Sequence, residues 1–165
     1  MTDQTMLAAR SGASPDVPAS GGQDVFVTLS VDNQLCGIPV LAVRDVLGPQ
    51  IITRIPLAPP EVAGSLNLRG RIVTAIDLRR RLGLQPQPHG AIQMSVVAEQ
   101  GGELYALLVD QVSEVMSLPR GQFERNPPTL SAEWGRYSSG IYRLQGRLLA
   151  VLDISRLLAL SHAPV

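Results

Sequence analysis

Near its middle the chain reads GSLNLRGRIVTAIDLRRRLGL (64–84) and near its end GIYRLQGRLLAVLDISRLLAL (140–160), two versions of one sentence. A constant offset of 76 sets Gly64 on Gly140, Leu68 on Leu144, Gly70 on Gly146, Arg71 on Arg147 and Asp77 on Asp153. A shorter match lies upstream at an offset of 69, where Val43 falls on Val112, Asp45 on Glu114, Val46 on Val115 and Leu47 on Met116. A unit of about 75 residues present twice limits the architecture strongly, because stacked solenoids need about three or more units to bury a continuous core. Two copies most simply give two small β-barrels packed together.

The local signals agree with such a unit. VFVTLSV (25–31) alternates apolar and polar residues, Asp32-Asn33 makes a turn, and LCGIPV follows, which together predict a β-hairpin. In the second copy IQMSVVAEQ, Gly101-Gly102 and ELYALLVD repeat the hairpin. LAVRDVL (41–47) suits a helical turn as well as a strand, and QIITRIPLAPPEVAG (50–64), punctuated by prolines, predicts a short strand running into a loop. RIVTAIDL is β-branched and apolar; Asp77 then N-caps a short helix that stops at Gly83. Each repeat therefore holds about five short strands and one terminal helix. QPQPHG (85–90) separates the copies, so the barrels are expected at approximately 24–88 and 89–160. Residues 120–139, polar and proline-bearing, account for the change of offset as a longer loop, and residues 1–23 lack any sustained apolar period and predict a disordered tail.

Composition removes most chemistries. Fourteen basic residues balance fourteen acidic ones, and the six aromatics do not cluster with Arg on a predicted strand, which argues against a nucleic-acid surface. The single cysteine, Cys36, allows no internal disulfide and reads as a small buried hydrophobe. Neither a basic signal-peptide start nor an apolar run of about 18 residues is present, so the expectation is a cytoplasmic chain without direct membrane insertion. His89 and His162 are far apart and lack a nucleophile, carboxylate or cysteine cluster, so neither a catalytic constellation nor a metal site is expected. N-capping explains Asp77 and Asp153 without catalysis, and Arg79-Arg80-Arg81 reads as the solvated face of a short helix. No phosphate-binding glycine motif occurs, and no cofactor is expected.

The copies agree where a shared fold needs them to and differ elsewhere. Asn67 and Arg69 of NLRG become Arg143 and Gln145 of RLQG. Alternation along an extended segment puts Asn67 and Arg69 on one face, where Arg69 either pairs with a nearby carboxylate or meets a partner.

The segments VFVTLSVDNQLCGIPVLAVRDVL, ITRIPLAPPEVAGSLNLRGRIVTAIDLRRRLGL and YALLVDQVSEVMSL together resemble the CheW family, the coupling proteins of bacterial chemotaxis, over roughly residues 24–160. The resemblance implies a mainly β fold of two intertwined five-stranded SH3-like barrels with short helices, with end strands open to exchange between the two. It implies no catalysis, and an adaptor that joins the cytoplasmic hairpin tip of chemoreceptors to the regulatory domain of a CheA-type histidine kinase. Other CheW copies stand as a further partner, and membrane-associated receptor arrays as the place of action. Carried over residue by residue, Val43, Asp45, Val46, Arg69, Val112 and Val115 fall on the receptor-binding groove, with Asn67, Ile38 and Val40 as further interface candidates. The alternatives are an adaptor of another chemosensory pathway, such as surface motility, and a small-barrel ligand or nucleic-acid binder.

Overall fold

The computed structural model describes residues 22–88 and 90–159; the tail up to residue 21, His89 and His162 lie outside the described residues. The first copy runs β1 (Gln23–Val31), β2 (Gln34–Pro39), β3 (Val43–Leu47), β4 (Val62–Leu68), β5 (Arg71–Asp77) and α1 (Leu78–Arg81). The second runs β6 (Met94–Gln100), β7 (Glu103–Val109), β8 (Gln111–Pro119), α2 (Ala132–Tyr137), β9 (Ser138–Leu144), β10 (Arg147–Leu152) and α3 (Ile154–Leu157). The fold is mainly β, with the expected five strands and a terminal helix in each copy.

Neither sheet is one copy. The first has the order β8-β1-β2-β10-β9 and the second β3-β6-β7-β5-β4, so each takes strands one and two from one repeat and strands three to five from the other. In each sheet the two copies meet twice, antiparallel where β8 joins β1 and β3 joins β6, and parallel where β10 joins β2 and β5 joins β7; the pairs within a copy are antiparallel. The division of the sequence at residue 88 is therefore not the division between the sheets: residues 43–109 supply all of the second sheet, and residues 23–39 with 111–152 the first.

Strand alternation then fills three cores. Leu29, Ile38, Leu152, Val96 and Leu107, from both sheets, meet in one central cluster closed by Leu78 and Leu82 near α1, Ile154 and Leu157 of α3, and Trp134 and Tyr137 of α2. The intervening residues face outward into a cluster belonging to each sheet, Phe26, Leu149 and Val151 in the first and Val73, Ala106 and Leu108 in the second. A sheet apolar on both faces needs cover on both. The exchange thus makes the barrel-to-barrel contact the largest hydrophobic core of the chain. Cys36 lies fully buried in it, and burial, with the charge of Asp110, pushes its thiol pKa up.

Several local expectations change. Asp32 and Asn33 do form the predicted turn, both with positive φ (52° and 65°), as a two-residue hairpin requires. LAVRDVL resolves into a single 3-10 turn, Val40–Ala42, followed by strand β3. Residues 50–61 form no strand; Thr53 makes an isolated bridge to Ser65. The long loop 120–139 contains α2, N-capped by Ser131, whose hydroxyl accepts from the Trp134 N–H. Trp134 and Tyr137, three residues apart, bury one side of that helix, a spacing diluted by the flanking prolines.

The loop strands also explain the shared glycines. A Cβ on Gly64 would strike the Thr53 carbonyl, and one on Gly140 the Phe123 ring and the Glu124 carbonyl. In both copies the loop bridges back onto the same strand, Thr53 to Ser65 and Glu124 to Ile141. Asp77 and Asp153 are N-caps, their carboxylates accepting from Arg79, Arg80 and Arg156 N–H groups.

The arginine triplet is not a solvated face. Arg79 forks onto Asp110 (Nε to Oδ1 2.9 Å, Nη2 to Oδ2 2.7 Å) with its side chain only 14% exposed. Arg81 donates to the carbonyls of Leu157, Arg156 and Ala159 at the end of α3 and lies 4.9 Å over the Tyr137 ring. Only Arg80 stays open to solvent. No helix among the described residues is long and apolar enough to cross a membrane.

Candidate protein-docking site

The NLRG segment is a two-residue hairpin loop. Leu68 pairs with Arg71 across β4 and β5, and Arg69 and Gly70 between them have φ of 51° and 86°. Asn67 holds the loop, its side-chain oxygen accepting from the Gly70 N–H at 2.9 Å. Left-handed backbone is uncommon for a residue with a side chain, and here it projects Arg69 outward, 78% exposed.

Strand β3 supplies the partner of that arginine. Its pairing with β6 shifts register between Val43 and Asp45, a bulge that re-aims the strand. Asp45 accepts from the Val46 N–H at 2.8 Å, and its Oδ2 forms an ion pair with Arg69 Nη1 at 3.2 Å. The ion pair left open by the sequence is thus formed, yet the guanidinium remains available at the surface. In the second copy Gly146 keeps positive φ but Gln145 replaces Arg69, and Arg143 pairs instead with Glu124 at 2.9 Å.

The remaining expected residues divide by exposure. Val43 and Val112 are half-buried and pack against the central core from edge strands of opposite sheets, while Val46 and Val115 stand 38% and 61% exposed. Ile38 is fully buried in the central core, so it serves the fold and offers no surface; alternation along β2 turns it inward. Val40 stands on the rim of a groove of about 710 Å³ lined by Val25, Phe26, Leu41, Phe123 and Tyr142.

That groove holds residues the sequence reading missed. Phe123 and Phe26 flank Tyr142, with ring centroids 5.5 and 5.6 Å away, and Leu41 is 92% exposed beside them. Burial, reinforced by Asp24 and opposed by Arg120, pushes the Tyr142 hydroxyl pKa up. Leu41 was readable as an apolar residue in a segment of ambiguous period; Phe123, alone in a polar loop, carried no pattern.

The surface offers exposed apolar edges, a concave aromatic groove and exposed ion pairs, Asp45–Arg69 among them. These are means of docking another protein, and the class they define is a duplicated β scaffold that works through its surface.

Comparison with known proteins agrees. The family model described as CheW-like domain matches residues 25–162, and the chain belongs to that family. It is 34% identical to the chemotaxis protein CheW of Klebsiella aerogenes over 141 residues, covering 84% of this chain and 82% of the relative. It is 26% identical to that of Rhizobium meliloti over 135 residues, 82% and 86% of the two chains. Among solved structures, the scaffolding protein TtCheW from Thermoanaerobacter tengcongensis superimposes with a TM-score of 0.75 at 26% identity, covering 84% of this chain and 94% of that one.

Proposed function

We propose that this chemotaxis coupling adaptor joins the cytoplasmic hairpin tip of methyl-accepting chemoreceptors to the regulatory domain of a CheA-type histidine kinase. It does so without catalysis, in the cytoplasm, at membrane-associated receptor arrays. The observation that carries the reading is that Val43 and Val112 each pack, half-buried, against the central core from edge strands of opposite sheets, with the exposed Asp45–Arg69 pair starting from the same strand as Val43. A receptor helix brings apolar side chains to Val43, Val46, Val112 and Val115 and a carboxylate to Arg69, while Asn67 keeps the loop in place. The groove at Val40 is the surface offered to the kinase.

The energetics suit a reversible adaptor. Fully burying a valine contributes about 1.5–3 kcal/mol, and these are already partly buried, so a few such contacts less the cost of association lead to micromolar binding, about −8 kcal/mol. Arrays then raise avidity by multivalency.

Arg69→Glu tests the reading. The existing ion pair is exposed and worth about 0–1 kcal/mol, so the thermal melt moves by only a few degrees. Sedimentation of the variant with receptor fragment and kinase is expected to show the receptor held at this face lost from the complex. Assembly at unchanged affinity would refute the assignment.

A further inference from the structure

The exchange of strands relates the two sheets by an approximate two-fold, and that symmetry reproduces a surface feature. A small depression on the second sheet, about 140 Å³, is lined by seven residues that include Asp45, Leu68, Arg69 and Arg71. Each of the seven has its repeat-mate in a depression on the first sheet. Arg44 and Asp45 map by the offset of 69 to Ser113 and Glu114, Leu68, Arg69 and Arg71 by 76 to Leu144, Gln145 and Arg147, and Val97 and Leu104 by −69 to Thr28 and Leu35.

The twins differ in what closes them. On the second sheet, lining residue Arg44 pairs with Glu99 at 2.6 Å, and Asp45 and Arg69, both in the lining, pair at 3.2 Å. On the first, Ser113 and Gln145 replace both arginines, neither pair recurs, and the depression opens to about 600 Å³. Glu114 and Arg147 are exposed and have no ion-pair partner among the described residues. Half-buried Met116 and Leu144 line it, and an unbranched methionine adapts to different apolar partners.

We propose that this depression is a second docking site for the same kind of ligand as the first, a receptor-type helical hairpin. An apolar side chain of the hairpin sits over Met116 and Leu144, with a basic neighbour facing Glu114 and an acidic one facing Arg147. The choice of occupant rests on the reading of the Asp45–Arg69 face as a receptor site. It rests also on charge complementarity: a helix presents an acid and a base on one face at i and i+4, matching two opposite charges left unpaired beside an apolar floor. A single adaptor then bridges two receptor tips from opposite sheets.

The test is an NMR titration of the labelled full chain with a receptor cytoplasmic hairpin fragment, with stoichiometry from sedimentation. Two sets of shifts are expected, around Arg69 and around Met116 and Leu144, with two hairpins per adaptor at saturation. Arg147→Glu, on an exposed side chain, and Met116→Glu should each remove the second set alone and halve the stoichiometry, and Arg69→Glu the first set alone. A first set without the second, or a second set untouched by Arg147→Glu, overturns this inference and leaves the receptor reading standing. Two sets that both survive Arg69→Glu overturn the receptor reading, and no shifts at all overturn both.

Discussion

Replacing Arg81 with alanine measures what the exchange of strands depends on. The residue ends α1, just after β5, yet its guanidinium caps the last turn of α3 through Leu157, Ala159 and Arg156 carbonyls (2.8, 2.9 and 3.2 Å). It also stacks on Tyr137 of α2 and lies 3.7 Å from Glu61, so one side chain ties together all three helices that close the central core. Its side chain is 13% exposed, which limits solvent screening. Hydrogen bonds involving a charged group are worth about 1.5–3 kcal/mol each, but they share one group and the freed carbonyls regain some water, so the sum is well below three times that. A loss of about 2–4 kcal/mol follows, and at roughly 2–4 °C per kcal/mol for a chain of this size the melting temperature falls by about 5–15 °C. Thermal and urea denaturation by circular dichroism read the change, with Arg80→Ala as the exposed neighbour expected to shift stability by no more than about 0.5 kcal/mol. Should Arg81→Ala melt within two or so degrees of Arg80→Ala, the clasp contributes nothing and the triplet is a solvated face after all.

Other expectations follow from the same geometry. Burial alone would raise the Asp110 carboxyl, but the Arg79 guanidinium and the Asp32 N–H hold it below the ordinary carboxylate value of about 3.9. A folded pKa below the unfolded one gives stability that is fully present above about pH 4 and is lost as pH falls through the folded value, so acid titration of wild type against Asp110→Asn should show the variant's stability falling less steeply below pH 4. Gly140→Ala should displace Phe123 from over β9 and destabilise by about 1–3 kcal/mol in urea melts, and Gly64→Ala should do at least as much because it meets a backbone carbonyl. A neutral result at both positions would remove close approach as the reason the copies share this glycine.

Much of the unit was legible in the sequence because it is local. Asp32-Asn33 can hardly be anything but a hairpin turn, and Asp77 before LRRRL signals its own cap. Asn67 and Arg69 read as neighbours on one face of an extended segment, whereas Arg69 lies in the turn itself with positive φ, and which carboxylate it meets was not legible, since Asp45 is placed by a bulge in another strand. What escaped were partners remote in sequence. Arg79 finds Asp110 31 residues away, and Arg81 finds Leu157 76 residues away. No window of periodicity reaches that far.

The exchange itself could not be read from pattern, and the reason is physical. When a unit is written twice, strands three to five can pair with strands one and two of either copy, and alternation, turn chemistry and β-propensity are equally satisfied both ways. What separates the two arrangements is the connection between strands two and three. Here it is only Val40–Ala42, one 3-10 turn, with Leu41 exposed at its tip. The exchanged arrangement carries β3 across to β6 of the other copy and later β8 back to β1, and so draws the two sheets face to face over a single core. A duplicated chain that closed each barrel on its own would leave that core as an interface between separable halves. By crossing twice, the chain makes the relative placement of Val43 and Val112 a property of folding, and a partner that spans both sheets meets a surface whose two sides are fixed before it arrives.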